Sequence, residues 1–111
     1  MKLITAIVRP EKLDELTRVL IDNRAQGLTV TEVRGFGRQL GHLADPPARA
    51  GAALLPKIRL DIVALDDDAE ILAEAIAKHA KTETIGDGKI WVTPVDSVLR
   101  VRTGDRDRAA V

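Results

Sequence analysis

"KIRLDIVALDDDAEILAEAIAKHAK", running from Lys57 to Lys81, changes its hydrophobic period halfway along, and that change decides the fold. Over Lys57 to Leu65 polar and apolar residues alternate. Lys57, Arg59 and Asp61 fall on one side and Ile58, Leu60 and Ile62 on the other, as a strand with one wet and one packed face requires. The period then lengthens to that of a helix. Asp67 is the expected N-cap, Glu70 closes a capping box three residues later, and Ile71, Leu72, Ala75 and Ile76 form the expected core stripe.

The same succession precedes this segment. Leu3 to Val8 is β-branched and aliphatic and predicts a strand; Pro10, which lacks an N–H, suits the first turn of a helix. Leu13, Leu16, Val19 and Leu20 recur at helical spacing, with Gly27 as the expected stop. "LTVTEVRGFG", Leu28 to Gly37, alternates as a second strand and ends in glycines. Beyond Lys81, "KIWVTPV" and "SVLRVRT" predict two short strands, the first confined to a sheet edge by Pro94. The order is β-α-β, a long connection, β-α-β. It predicts an α+β, ferredoxin-like double β-α-β: one four-stranded antiparallel sheet with two helices on one face, and residues 1–111 as a single domain. The other sheet face, with Lys57, Arg59 and Asp61, is charged and open, which suggests a homo-oligomer.

The connection is "GHLADPPARAGAALLPK", Gly41 to Lys57. Structureless loops beyond about 12–15 residues are uncommon in small domains and are usually functional or disordered. Two adjacent prolines and many small residues bury too little surface to hold it down, so it is expected to move until a ligand or partner fixes it.

Composition narrows the function. Lys+Arg and Asp+Glu both total 17, so no global field recruits nucleic acid or anionic lipid. One Trp, one Phe and no Tyr leave few stacking platforms for an RNA-binding module of this fold. The opening apolar run is too short for a signal peptide and no segment is long enough to cross a bilayer, so a soluble, cytoplasmic protein without membrane insertion is expected. The absence of cysteine agrees with a reducing compartment. His42 and His79 are too isolated for a metal site. No nucleophile triad or Walker-type loop is present, so a small phosphotransfer or nucleotide-hydrolysing enzyme lacks a placed general base.

Four clusters could hold a ligand. "GFGRQLG", Gly35 to Gly41, is either a turn or an anion-binding backbone flanked by Arg38 and Gln39. "TIGDGKI", Thr84 to Ile90, is either a tight connection or a small anion loop with Lys89 at its rim. Arg100 and Arg102 are expected on one face of one strand, about 7 Å apart, and could bracket a polyphosphate. Lys57 lies at one base of the long connection, within reach of Gln39 at the other. A nucleotide's phosphate chain would satisfy the first three together, while Lys57 is otherwise a solvated lysine at a strand start.

"MKLITAIVRP", "TVTEVRGFGRQLGH", "LPKIRLDIV" and "IGDGKIWVTPVDSVLRVRTG" resemble, in order and spacing, the PII nitrogen-regulatory signal-transduction proteins. The resemblance covers nearly the whole chain. It implies a homotrimer that binds ATP or ADP between subunits and regulates targets, most often an ammonium transporter at the inner membrane face, through the long T-loop. It implies nucleotide contacts from Thr29 near the adenine, from Gly35, Gly37, Arg38 and Gln39, from Gly86, Asp87, Gly88 and Lys89, and from Arg100 and Arg102 of the neighbouring subunit. Gln39 and Lys57 would contact 2-oxoglutarate, with Gln39 also reaching its Mg²⁺. His42, Asp45 and Arg49 would belong to the partner-binding loop.

Two departures qualify what the resemblance implies. Residues 40–56 contain no Ser, Thr or Tyr, so the loop has no hydroxyl for uridylylation, adenylylation or phosphorylation. A divergent member sensing another metabolite, such as bicarbonate, is the alternative. The family's usual Thr-Gly-Lys before Gly86 is "TET" here, so Glu83 either repels phosphate or faces water.

Overall fold

The computed structural model describes residues 1–38 and 54–111. Strands β1 (Lys2–Val8), β2 (Thr29–Gly35), β3 (Leu55–Ala64) and β4 (Gly88–Pro94) form one antiparallel sheet in the order β2-β3-β1-β4, and helices α1 (Leu13–Asp22) and α2 (Asp66–Ala80) connect them. The expected α+β, ferredoxin-like arrangement is therefore present. Pro94 sits on edge strand β4 opposite Lys2, where its missing N–H breaks no interior ladder.

Alternation fixes which residues face the helices. Ile4, Ala6 and Val8 of β1 lie opposite Ile62, Leu60 and Ile58 of β3, and all are buried beneath Leu16 and Leu20 of α1 and Leu72 and Ile76 of α2. A one-residue slip would turn every one of these to the other face, so the core sets the register. The open face carries Lys57, Arg59 and Asp61, as their spacing predicts. Thr5 is buried there; its hydroxyl donates to Asp61 at 2.9 Å while Arg59 Nε donates to the same carboxylate at 2.9 Å.

Several local expectations give way. Pro10 opens a short 3₁₀ turn, Pro10–Lys12, before α1. That helix ends at Asp22, not near Gly27: Arg24 takes the left-handed backbone at φ 65°, and the amides of Arg24 and Ala25 donate to the carbonyls of Ile21 and Leu20 at 3.0 and 2.9 Å. This is a Schellman closure with arginine where glycine is usual. Helix α2 begins at Asp66 with Leu65 as its cap, so Asp67 and Glu70 form no capping box. The Leu65 carbonyl accepts from Asp68 and Ala69, and Asp66 is drawn instead to the Met1 ammonium at 2.7 Å. The buried stripe of α2 is Ala69, Leu72, Ile76 and Ala80, spaced at three and four residues; Ile71 lies outside that arc and is 56% exposed. His79, late in α2, has Nδ1 3.1 Å from Glu15 of α1.

"SVLRVRT" is not a strand. Leu99 makes one isolated bridge to Arg106, and a tight turn closes it, with the Gly104 amide donating to the Arg100 carbonyl at 2.8 Å. A 3₁₀ turn, Asp107–Ala110, follows.

The α2–β4 connection is organised by Asp87. Its carboxylate accepts from the amides of Thr82 (2.7 Å) and Glu83 (2.9 Å), from the Thr82 hydroxyl, and from Arg9 Nε at 2.9 Å. Arg9 also donates to the Thr84 hydroxyl and the Ile85 carbonyl, both at 2.9 Å. Partial withdrawal from water would raise the carboxyl's pKa, but the bonds from Thr82, Arg9 and Glu83 outweigh it and hold the group well below the usual carboxylate range. Gly88 follows at φ +106°, and a Cβ there would lie 1.7 Å from the Ile7 carbonyl oxygen. Only glycine fits that approach.

Gly88→Ala therefore loses at least about 2 kcal/mol of stability from backbone strain and overlap. Gly27→Ala, where a Cβ meets nothing within 4 Å, serves as its control in urea unfolding at fixed protomer concentration. Asp87 contributes stability that is complete above the unfolded-state carboxyl value near pH 4 and is lost as pH falls through its lowered folded-state value. Asp87→Asn is expected to lower the unfolding midpoint at pH 7 and to flatten the loss of stability below pH 4, read by the same titration across pH.

Candidate functional site

The connection just described forms one wall of a cavity of about 590 Å³. The other walls are the end of β2 and the turn beyond it, Val33 to Arg38, and the open-face residues Ile7, Lys57, Arg59 and Trp91. The cavity lies where the β2–β3 pairing ends, at Gly35 and Leu55, and where Gly88 is paired with Val8 at the end of β1.

Its electrostatics favour an anion. Arg34, Arg38, Lys57, Arg59 and Lys89 line it, and Asp87 is the only carboxylate among the described lining residues. Asp87 is already neutralised by Arg9, and Arg59 by Asp61. Lys57 Nζ donates to the Gly86 carbonyl at 2.7 Å, tying the start of β3 to the opposite wall. Burial pushes its pKa down, as does the nearby Arg9 charge, while Glu11 and Asp87 pull the other way. Phosphate or carboxylate arriving beside Lys57 would meet an ammonium whose partner among the described residues is a neutral carbonyl, which is readily exchanged for a charge-assisted bond.

The expected residues divide into three groups. Gly35, Gly37, Arg38, Lys57, Gly86, Asp87, Gly88 and Lys89 come together around this cavity. Thr29, Arg100 and Arg102 do not line it. Thr29 opens edge strand β2, opposite Asp61. Arg100 belongs to the turn after β4, donating to the Val111 carbonyl at 3.4 Å with Asp105 3.7 Å away, and Arg102 is exposed in the same turn. The shared strand face expected for the two arginines does not form. Gln39, His42, Asp45 and Arg49 lie outside the described residues. Glu83 turns away: it holds a left-handed backbone at φ 66°, its side chain is paired with Lys81 at 3.2 Å, and it does not line the cavity.

Sequence reasoning passed over Arg9, whose role emerges only when residues 78 positions apart meet. It also passed over Ile7, Phe36, Arg59 and Trp91 as lining residues. For Trp91 a signal existed: in a strand, it falls on the same face as Lys89.

Among the described residues no helix is long and apolar enough to cross a membrane, and no three His, Cys, Asp or Glu side chains gather as a metal site. The family model for nitrogen regulatory protein P-II matches residues 1–105. The chain is 46% identical over 115 residues to a nitrogen regulatory protein P-II of Cereibacter sphaeroides, with both chains covered in full. It is 48% identical over 112 residues to nitrogen regulatory protein P-II 2 of Methanothermobacter thermautotrophicus, covering all of this chain and 97% of that one. Nitrogen regulatory protein GlnK of Escherichia coli is 44% identical over the full length of both. With a family match along nearly the entire chain and the expected sheet order, this protein belongs to the P-II nitrogen regulatory family.

Proposed function

We propose that this regulatory protein binds ATP or ADP in the cavity between the 84–89 wall and the end of β2, and passes its occupancy to a target protein through the β2–β3 connection. One observation supports this most strongly: Arg38, Lys57 and Lys89, from three separated chain segments, line one cavity with the backbone of Gly86 and Gly88. That arrangement suits a polyphosphate, which needs several cations and free amides at once. The site is completed in a homotrimer. Arg100 and Arg102, which do not line their own protomer's cavity, reach the phosphates of a neighbour.

2-Oxoglutarate would bind beside Lys57, exchanging the bond to Gly86 for one to a carboxylate. Mg²⁺ would be held by phosphate oxygens and Gln39; a cation that takes most of its ligands from substrate phosphates needs no protein cage of its own. The target is proposed to be an ammonium transporter, which would bring the protein transiently to the inner membrane face. Residues 40–56 offer no hydroxyl, so control is by ligand and not by modification of the loop. The protein acts as a regulator and not as an enzyme: Asp87, held below the usual carboxylate range by its partners, is a poor general base.

Calorimetry with ATP and ADP tests the reading. Arg38→Ala and Lys89→Ala are each expected to weaken binding about 10- to 100-fold, the scale of one or two lost charge-assisted bonds. Lys57→Gln should spare ADP while abolishing the response to 2-oxoglutarate in the presence of Mg-ATP. Failure of the wild-type protein to bind either nucleotide overturns the proposal. Nucleotide binding with no 2-oxoglutarate response leaves a sensor of another metabolite, for which bicarbonate is the first to titrate.

A further inference from the structure

Val101 is the most exposed large apolar side chain among the described residues, 98% open to solvent. It stands at the tip of a hairpin that its own bonds make rigid. Leu99 bridges to Arg106, the amides of Arg100 and Gly104 donate to the carbonyls of Asp105 and Arg100 at 2.9 and 2.8 Å, and the Asp107 amide donates to the Val98 carbonyl at 2.8 Å. A lone exposed valine needs no explanation. One held out on a braced turn, between two arginines that do not line their own protomer's cavity, is placed to be covered by another surface.

A receiver lies behind the glycine wall. On the helix side of the sheet, a notch of about 360 Å³ opens between the last turn of α2 and the start of β4. It exists because the residues there are small: Gly88, paired with Val8, has no side chain to fill the space, and Ala77 and Ala80 keep the helix wall shallow. Val8 and Ile90 complete an apolar lining. As an edge strand, β4 has no further strand beside it, so the notch opens at the side of the sheet. This notch and the larger cavity share Asp87, Gly88 and Lys89. A hairpin that brings Arg100 and Arg102 to the phosphate side of that wall therefore carries the residue between them within reach of its other side.

The geometry points to this notch as the seat of Val101 from a second copy of the chain. Tip and notch are different surfaces of the protomer, so the contact passes from copy to copy and closes in a ring. It rests on the homotrimeric nucleotide site proposed above and assigns what holds the arginines there when no anion is bound. Arg100, Arg102 and the neighbour's Lys89 carry like charges, which repel across an empty joint and are bridged once phosphate lies among them. The valine supplies a contact that does not depend on charge.

The chain has no cysteine, which permits a crosslink without background. Val101→Cys and Ala77→Cys, both at exposed positions, are combined in one chain and oxidised mildly. A disulfide needs Cβ atoms about 4 Å apart, so a ladder ending at a covalent trimer, dissolved by reductant, is expected. Each single variant should stay uncrosslinked. So should Val101→Cys with Ile71→Cys, whose second site is also exposed but lies six residues earlier on α2, about 9 Å along its axis. A wild-type trimer by mass in which the Val101 and Ala77 pair yields no more crosslink than this control overturns the seat. A ladder that stops at a dimer overturns the ring. A wild-type monomer overturns the homotrimer itself, and a wild type that binds no ADP by calorimetry overturns the nucleotide reading while the crosslink still reports on the seat.

Discussion

The bond between Arg9 and Asp87 joins the end of β1 to the α2–β4 connection across 78 residues of chain. Asp87 gathers the amides of Thr82 and Glu83, while Arg9 takes up the Thr84 hydroxyl and the Ile85 carbonyl. The connection is therefore held from both sides by one ion pair, with its polar groups turned inward. Gly86 and Gly88 are left to present backbone to the cavity, and Gly88 can press against Ile7 because it has no side chain. An exposed ion pair of this kind contributes little, but this one is three-quarters or more withdrawn from solvent on both sides and carries several further bonds, so its geometry is determined.

That constraint explains the distribution of charge. An apolar wall would leave a cavity indifferent to ligand sign, and a free Asp87 would oppose phosphate directly. Pairing it with Arg9 removes the opposition while Lys89, Arg38 and Lys57 remain to attract. Arg59 is partly spent on Asp61, so its pull on an anion is weaker than its position suggests. Glu83 takes a left-handed backbone in the same turn, and the bond from its amide to Asp87 offsets that strain.

What the sequence made legible follows from the range of each interaction. The fold class and much of the core came from the β-branched, aliphatic run of β1, the two-residue alternation of β3 and the stripe of α1, which are local patterns. The glycine turn before β4 was legible for the same reason. The ends of the helices were not. Asp66, Asp67 and Asp68 are near-equivalent as caps by pattern, yet none of them caps the helix: Leu65 does, and Asp66 is paired with the Met1 ammonium, 65 residues away. Arg24 closes α1 because its turn satisfies two carbonyls at once, an advantage that outweighs glycine's freedom three residues later. Ile71 was expected inside as part of the helical stripe; the buried arc is instead Ala69, Leu72, Ile76 and Ala80, and Ile71 falls outside it. Arg100 and Arg102 alternate as a strand would, but Thr103-Gly104-Asp105 turns the chain before a ladder can form.

Lys57 ties the start of β3 to the glycine wall. Its ammonium is the bond between the start of β3 and the Gly86 carbonyl, so it belongs at once to the cavity and to the base of the long connection. A ligand carboxylate that takes this ammonium must release the carbonyl or share the donor, and the two arrangements differ in how firmly the base of the connection is tied to the glycine wall. Tight binding alone would move nothing; only unequal affinity for the tied and released forms shifts the balance between them. A lysine already partly withdrawn from water and crowded by Arg9 is suited to that role, because its partner is a neutral carbonyl that it can surrender for a full negative charge.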